Sequence, residues 1–378
     1  MYAIKNKKIV FLHPAHWKQA MGGAELQISY LAKYMKEQGC EVHFIYENRG
    51  DYIKNDDAIL HPLKKIRIRK TFGQRWFLRR KIINKILKKI QPDIIYTRSC
   101  SSWSGIAAAY AKENNIIHIW AIASDKDVCK KGVLSLLRRP LDLIEMTMIN
   151  KAFCHAGIII SQNKFQQKKL AIHYNRKSVI IPQMVPSVEE IMIKKNAAPL
   201  EIVWIANLKP LKKPELFIQL TRKFKKNKTC RFQMIGRMDR DYSKLLQEAS
   251  HNLENFTYLG ALPNDKVNDI LCKSHILINT SDYEGFSNTF VQAWMRKVIV
   301  LSMNSNPNSI LTDYKIGFVC PTLEKLTDKL DLLINNESLR NRMAEDSYRF
   351  AIQNHSLEKN ISKVLSLMNF DPSSSRHK

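Results

Sequence analysis

Glu284 and Gln292 stand eight positions apart in the run SDYEGFSNTFVQAWMRKVIVLS, residues 281–302. A carboxylate in a loop can fix sugar hydroxyls, and an amide one turn into the following helix can pair with vicinal hydroxyls such as those of ribose. Ser287, Asn288 and Thr289 are N-cap residue types, so one of them starts the helix and leaves backbone amides free to hold an anion. Upstream, WIANLKPLKKPELF carries Lys209, Lys212 and Lys213 between a buried strand and a helix, where an ammonium can meet a diphosphate. Near the start, HPAHWKQAMGGAELQ puts Gly22 and Gly23 where the chain enters a helix. Without Cβ, such residues let backbone amides approach a phosphate or sugar, though a double glycine also serves as a plain turn. Their spacing fits neither a dinucleotide fingerprint nor a P-loop. Asp125 with Asp127 and Asp239 with Asp241 form D-x-D pairs of a kind that can hold a metal, at a spacing that also arises readily by chance.

Two sets of alternating strands and helices must position these groups. Short β-branched runs near Ile9–His13, Val42–Tyr46, Asp93–Thr97, Ile116–Ile122, Gly157–Ser161 and Val179–Pro182 predict strands of a first half. Glu201–Ala206, Arg231–Ile235, Phe256–Leu259, His275–Thr280, Val298–Ser302 and Gly317–Cys320 predict those of a second. Amphipathic stretches lie between, such as Ala24–Gln38 before Gly39 and Pro214–Phe224. The expectation is an α/β chain with two Rossmann-like, doubly wound parallel sheets, whose ligands bind outside the carboxyl ends of the strands. The alternation breaks in PQMVPSVEEIMIKKNAAP, residues 182–199, which suggests domains at 1–185 and 186–355. Residues 356–378 then form a C-terminal helix that packs back on the first domain, ending in a loose tail.

The 378 residues suffice for two domains, and 45% hydrophobic with 25% charged residues is a globular composition. No apolar run reaches the ~18 residues of a membrane span, and Ile9–Leu12 is too short for a signal-peptide core, so a cytoplasmic protein is expected. The seven cysteines are scattered without metal-ligand spacing and read as buried free thiols. A formal charge of +27 draws anionic partners without choosing among them. Between His61 and Gln91 there is no Asp or Glu, and Trp76, Phe77, Ile83, Ile86, Leu87 and Ile90 recur at helical spacing among the cations. The basic stretch 61–90 is read either as an interfacial helix facing anionic lipid, with Arg75, Trp76, Arg79, Arg80 and Lys81 at the membrane or acceptor, or as a surface helix docked by its apolar stripe. Recognised nucleic-acid modules are absent from the sequence, so no nucleic-acid partner is expected.

With these motifs in place, the chain resembles the family-4 retaining glycosyltransferases of the GT-B fold. Their second domain carries two glutamates separated by seven residues; EGFSNTFVQA matches at Glu284, Gly285, Phe286 and Ala293, with Gln292 in place of the second glutamate. GGAELQISYLAKYMKEQGCEV and YLGALPNDKVNDILCKSHILINTS are also similar to the family. The resemblance implies two domains facing a central cleft and a nucleotide diphosphate sugar as donor. Gly22 and Gly23 would lie beside the diphosphate or the transferred sugar, and the amides of Phe286, Ser287 and Asn288 near the diphosphate. Glu284 would contact donor-sugar hydroxyls, and Gln292 the ribose. Asn207 falls where the family has an arginine and Lys212 where it has a lysine, so Lys209 would supply the missing cation. Where relatives carry His-Asp, this chain has Ser124-Asp125, which leaves Asp125 as the polar group near the acceptor. With Glu284, Asp125 and Lys212 as catalytic groups, the family mechanism is same-face attack by the acceptor hydroxyl, using neither metal nor cofactor. A neutral Gln292 forgoes about 1 kcal/mol of charge-assisted bonding. The implied role is transfer to a glycan or lipid-linked acceptor in bacterial capsule, lipopolysaccharide or other polysaccharide synthesis, peripherally bound at the inner face of the membrane. The alternative is a catalytically impaired binding protein of the same fold.

Overall fold

A computed structural model describes residues 4–19, 22–50, 53, 56–65, 76–129, 140–238, 242–284 and 286–368. The β-branched runs pair only with parallel neighbours, and most strands are followed by a helix that carries the chain back. In the first sheet these are β1 (Lys8–Leu12), β2 (Glu41–Glu47), β3 (Ile59–Leu63), β4 (Ile94–Arg98), β5 (Ile117–Ala121), β6 (Ile158–Ser161) and β7 (Val179–Ile180). Their order is β3-β2-β1-β4-β5-β6-β7. The helices are α1 (Gly23–Glu37), α2 (Arg80–Ile90), α3 (Ser102–Asn114), α4 (Pro140–His155) and α5 (Lys164–Tyr174).

The second sheet holds β8 (Leu200–Ile205), β9 (Cys230–Ile235), β10 (Phe256–Tyr258), β11 (Ile276–Asn279), β12 (Ile299–Ser302) and β13 (Gly317–Val319), in the order β10-β9-β8-β11-β12-β13. Its helices are α6 (Pro214–Lys223), α7 (Ser243–Asn252), α8 (Asn264–Lys273), α9 (Asn288–Trp294), α10 (Ile310–Asp313), α11 (Leu323–Asn335) and α12 (Glu337–His355). The last helix, α13 (Leu357–Met368), groups with the first sheet: one compact unit takes the chain to Gln183 and again from Leu357, the other Met184–Ser356. Each sheet has its own core. In the second unit Ile202, Trp204, Phe217, Phe232, Ile278 and Leu301 are among its fully or nearly fully buried members.

Three expectations change here. β3 was not foreseen, because ILHPL carries a proline and neighbours the basic stretch; Pro62 sits opposite Tyr46 on an edge strand, where a missing N–H costs no ladder bond. The apolar stripe of the 61–90 stretch is core rather than a membrane surface: Ile83, Leu87 and Ile90 are buried with Val10, Ile95 and Trp103, and Phe77 and Ile86 pack against them. Burying three such side chains contributes roughly 1.5–3 kcal/mol each, which decides for the docked helix. The thiols are free as expected and Cys40, Cys230 and Cys320 are buried, but Cys129 and Cys154 are exposed.

Small residues in α3 allow a close contact with α4. A Cβ at Gly105 would fall 1.6 Å from the Met148 carbonyl oxygen of α4. Gly105→Ala therefore forces two backbones apart and should destabilise the protein by about 3 kcal/mol or more. A urea-unfolding midpoint equal to that of the unchanged protein would refute this contact.

Candidate functional site

In a parallel sheet wound both ways from a central strand, the loops after the two strands at the reversal diverge and leave a crevice. In the second unit that reversal lies between β8 and β11, so the crevice is flanked by the loop after β8, with Asn207, Lys209, Lys212 and Lys213, and the loop after β11, with Ser281 to Ser287. The two loops are tied together. Trp204 Nε1 donates to Thr280 Oγ1 (2.9 Å), whose hydroxyl donates to the Lys212 carbonyl (2.6 Å), and the Asp282 amide donates to the Leu211 carbonyl (3.0 Å). Lys212 Nζ then donates to Glu284 Oε1, and Lys213 pairs with Asp282.

Glu284 is held by one oxygen. Besides Lys212, its Oε1 accepts from Ser281 Oγ at 3.0 Å and from Asn279 Nδ2 at 3.5 Å, while Oε2 makes no hydrogen bond among the described residues. The Glu284 and Lys212 side chains are 17% and 21% exposed, so the pair is shielded from water yet reachable. The arrangement fixes a carboxylate by one edge and offers the other, with two further ammonium protons beside it, to hydroxyls or an oxyanion. Sequence reasoning found Glu284 and Lys212 but missed Asn279, Thr280 and Ser281, whose only signal was their place at a strand's carboxyl end.

Asn207 serves the structure of the domain, since its Oδ1 accepts from the Arg237 amide at 3.2 Å and so joins the loops after β8 and β9. Those loops come so close that a Cβ at Gly236, whose φ is +155°, would lie 1.7 Å from the Ala206 carbonyl oxygen. Lys209 is exposed and precedes the short turn Pro210–Lys212. Ser287 is the N-cap of α9, and its hydroxyl lies 2.7 Å from that of Thr289 without capping the backbone; Ser287 and Asn288 are buried. The Phe286 ring packs against His355 at 5.1 Å. Gln292 is not joined to Glu284. It is 2% exposed, and its Nε2 donates to Asn264 Oδ1 (2.8 Å) and Asn268 Oδ1 (3.1 Å), fastening α9 to α8. That amide nitrogen is bonded within the domain.

In the first unit, Gly22 is the N-cap of α1 and Gly23 its first residue, both exposed. The Glu25 carboxylate folds back over this terminus, where a Cβ at Gly22 would meet Glu25 Oε2 at 2.6 Å. Asp125 Oδ1 accepts from Asn163 Nδ2 (3.1 Å) and Gln166 Nε2 (2.8 Å), which holds it at the carboxyl ends of β5 and β6. Asp127 instead closes the Ser124 capping box, accepting from the Ala123 and Ser124 amides, and burial raises its pKa. Among the described residues no group of three or more His, Cys, Asp or Glu is placed to hold a metal ion. Asp239, Asp241, Gly285 and Arg75 lie outside the described residues, as does the Trp76 side chain.

The basic helix divides its charges. Arg79 is largely buried, 3.9 Å from Glu47 Oε2, and so is not a surface cation as expected. Arg80 and Lys81 are exposed, as are Lys85, Lys88, Lys89, Leu78 and Ile82. No helix among the described residues is long and apolar enough to cross a membrane.

Two family models match the chain: Glycosyltransferase Family 4 over residues 21–187 and Glycosyl transferases group 1 over residues 188–350. Anabaena Alr3699/HepE, solved with UDP and glucose, is 15% identical, with a TM-score of 0.70 over 96% of this chain and 100% of that one. WaaG, a glycosyltransferase involved in lipopolysaccharide biosynthesis, is also 15% identical, with a TM-score of 0.70 over 96% and 99% of the two chains. At these identities the likeness is one of fold. The poly(ribitol-phosphate) alpha-N-acetylglucosaminyltransferase of Staphylococcus aureus (strain COL) is 23% identical over 175 residues, 44% of this chain, and the match spans about a third of that protein (34%). The two matched models, one on each doubly wound unit, identify the chain as a member of the group 1 glycosyltransferases of the GT-B fold.

Proposed function

We propose that this protein transfers a sugar from a nucleotide diphosphate sugar to a glycan or lipid-linked acceptor in bacterial cell-surface polysaccharide synthesis, with retention of configuration and without a metal or resident cofactor. The observation that carries the reading is the Lys212–Glu284 pair at the reversal of the second sheet, with Glu284 Oε2 left open. Glu284 orients the donor sugar, and Lys212, assisted by Lys209, stabilises the charge that develops on the departing diphosphate. The acceptor hydroxyl attacks the anomeric carbon on the face the diphosphate leaves, and its proton passes to a diphosphate oxygen. Binding both substrates in line supplies much of the rate. Asp125, already held by two amides, is the acceptor-side polar group.

Glu284→Ala removes a group that touches the donor and leaves Lys212 unpaired. Turnover with the preferred nucleotide sugar should fall about 100-fold, a loss of the size seen when one charge-stabilising group is removed. Turnover within threefold of the unchanged protein would overturn the assignment. Purified protein that binds nucleotide sugars but never turns them over, across a broad acceptor panel, would favour the binding-protein reading, which Gln292 and Asn207 motivate.

Gln292→Glu tests the ribose role. Asn264 and Asn268 can rotate their amides and donate to the new carboxylate, so the fold should be kept and UDP affinity should hold or tighten. Gln292→Ala should lose UDP affinity, and an affinity equal to that of the unchanged protein by calorimetry would remove Gln292 from the donor site.

We place the membrane contact on the outward face of α2 and the turn before it, where Lys81, Lys85, Lys88 and Lys89 are exposed together with Leu78 and Ile82. Each lysine near an anionic leaflet contributes roughly 1 kcal/mol, so reversing Lys81, Lys85 and Lys88 should weaken binding to phosphatidylglycerol vesicles by about 100-fold or more. Equal pelleting of both forms in vesicle sedimentation would overturn the contact.

A further inference from the structure

The first sheet reverses between β1 and β4, the counterpart of the β8–β11 reversal in the second unit. The last paired residues there are Leu12 and Thr97, so His13 and Arg98 follow side by side at the carboxyl ends. Strand alternation puts them on the sheet face of Phe11 and Tyr96, whose rings lie 5.4 Å apart. Arg98 and His13 are each only 5% exposed. Among the described residues, the Arg98 guanidinium makes one hydrogen bond, from Nη1 to the Tyr96 hydroxyl at 3.3 Å, and its buried Nε has no partner. No carboxylate of the described residues forms an ion pair with it. Asp127, which does feel its charge, spends its carboxylate on backbone amides.

The acid nearest His13 is Glu25, at the first turn of α1. Glu25 Oε1 stands 3.9 Å from His13 Nδ1, and the Glu25 carboxylate covers Gly22. His13 Nδ1 is tied to Ala15, while its Nε2 makes no hydrogen bond among the described residues. Arg49 lies close enough to add positive potential, and burial keeps the His13 pKa below its ordinary value. A buried guanidinium without a carboxylate is costly unless a ligand neutralises it, and its planar fork matches the oxygens of a phosphoryl group.

We propose that Arg98 and His13 form an oxyanion site at the reversal of the first sheet, which receives a phosphate group carried by the acceptor. The proposal rests on the glycosyltransferase reading, since it names the acceptor's chemistry: a phosphorylated polyol or glycan rather than a neutral one. The oxyanion itself could belong to the acceptor or to the donor diphosphate, and the experiment separates them.

The probe is glycerol 3-phosphate, titrated into the full-length protein at fixed ionic strength, with and without saturating UDP, and followed by calorimetry and thermal shift. Binding should persist at saturating UDP, and Arg98→Met should weaken it at least tenfold. Without ligand, Arg98→Met should melt no lower than the unchanged protein, because it removes an unneutralised buried charge; a merely structural arginine would give a lower Tm. If Arg98→Met does not fold, Arg98→Lys and His13→Asn serve, each with at least a threefold loss of glycerol 3-phosphate affinity. An Arg98-independent response overturns the site. Competition between UDP and glycerol 3-phosphate overturns the acceptor assignment, because the oxyanion would then be the donor's. Absence of binding by every nucleoside diphosphate tried, UDP, GDP, ADP and dTDP, overturns the transferase reading, and the acceptor assignment with it.

Discussion

The structure depends on one topological constraint, the reversal of winding at the first strand of each sheet. β1 and β8 are followed by strands laid outward on one side, and the chain then returns to fill the other. Right-handed crossovers put the intervening helices on opposite faces on the two sides, so the loops at the reversal part and cannot fill the space between them. Polar groups can gather there without disturbing a core. The bonds from Trp204 through Thr280 to the Lys212 carbonyl show how the second unit uses this: a core indole anchors the loop that carries the cation.

The same grammar yields different electrostatics in the two units. At the reversal of the second sheet, Lys212 meets Glu284, and neighbouring hydroxyl and amide donors complete the carboxylate's inner edge. Such a pair is neutral overall and still presents open hydrogen-bonding capacity. At the reversal of the first sheet, Arg98 is buried without a carboxylate partner among the described residues, while the nearby acids serve a helix end and a capping box. A neutral pair suits ligands that bring hydroxyls along with charge, and an unneutralised guanidinium suits a ligand that brings charge first.

Much of this was legible in the sequence, and the parts that were not have physical reasons. Parallel strands buried on both faces read as apolar runs, so every strand but β3 was expected. β3 escaped because an edge strand tolerates the proline that elsewhere argues against a strand. Glu284 and Lys212 were found separately, from loop position and charge, but their contact joins residues 72 positions apart and needed the sheet order to appear. Gln292 illustrates the reverse: its type fits a ligand role, yet Asn264 and Asn268 are ordinary surface residues in sequence and nothing marks them as its partners. Arg98 is one basic residue among 61, and only register and burial set it apart.

The basic helix shows why a sequence pattern can support two readings at once. A stripe of isoleucines and leucines among lysines is what a lipid-facing helix needs, and it is also what a helix needs to dock on a sheet. Docking takes the stripe, since Ile83, Leu87 and Ile90 complete the core around Trp103. It leaves the lysines behind on the opposite face, because their charge cannot be buried there without partners. Docking of the apolar face therefore holds the cationic face outward at no added conformational cost, and a surface that attracts anionic lipid can rest on a rigid helix rather than on a segment that must fold as it binds.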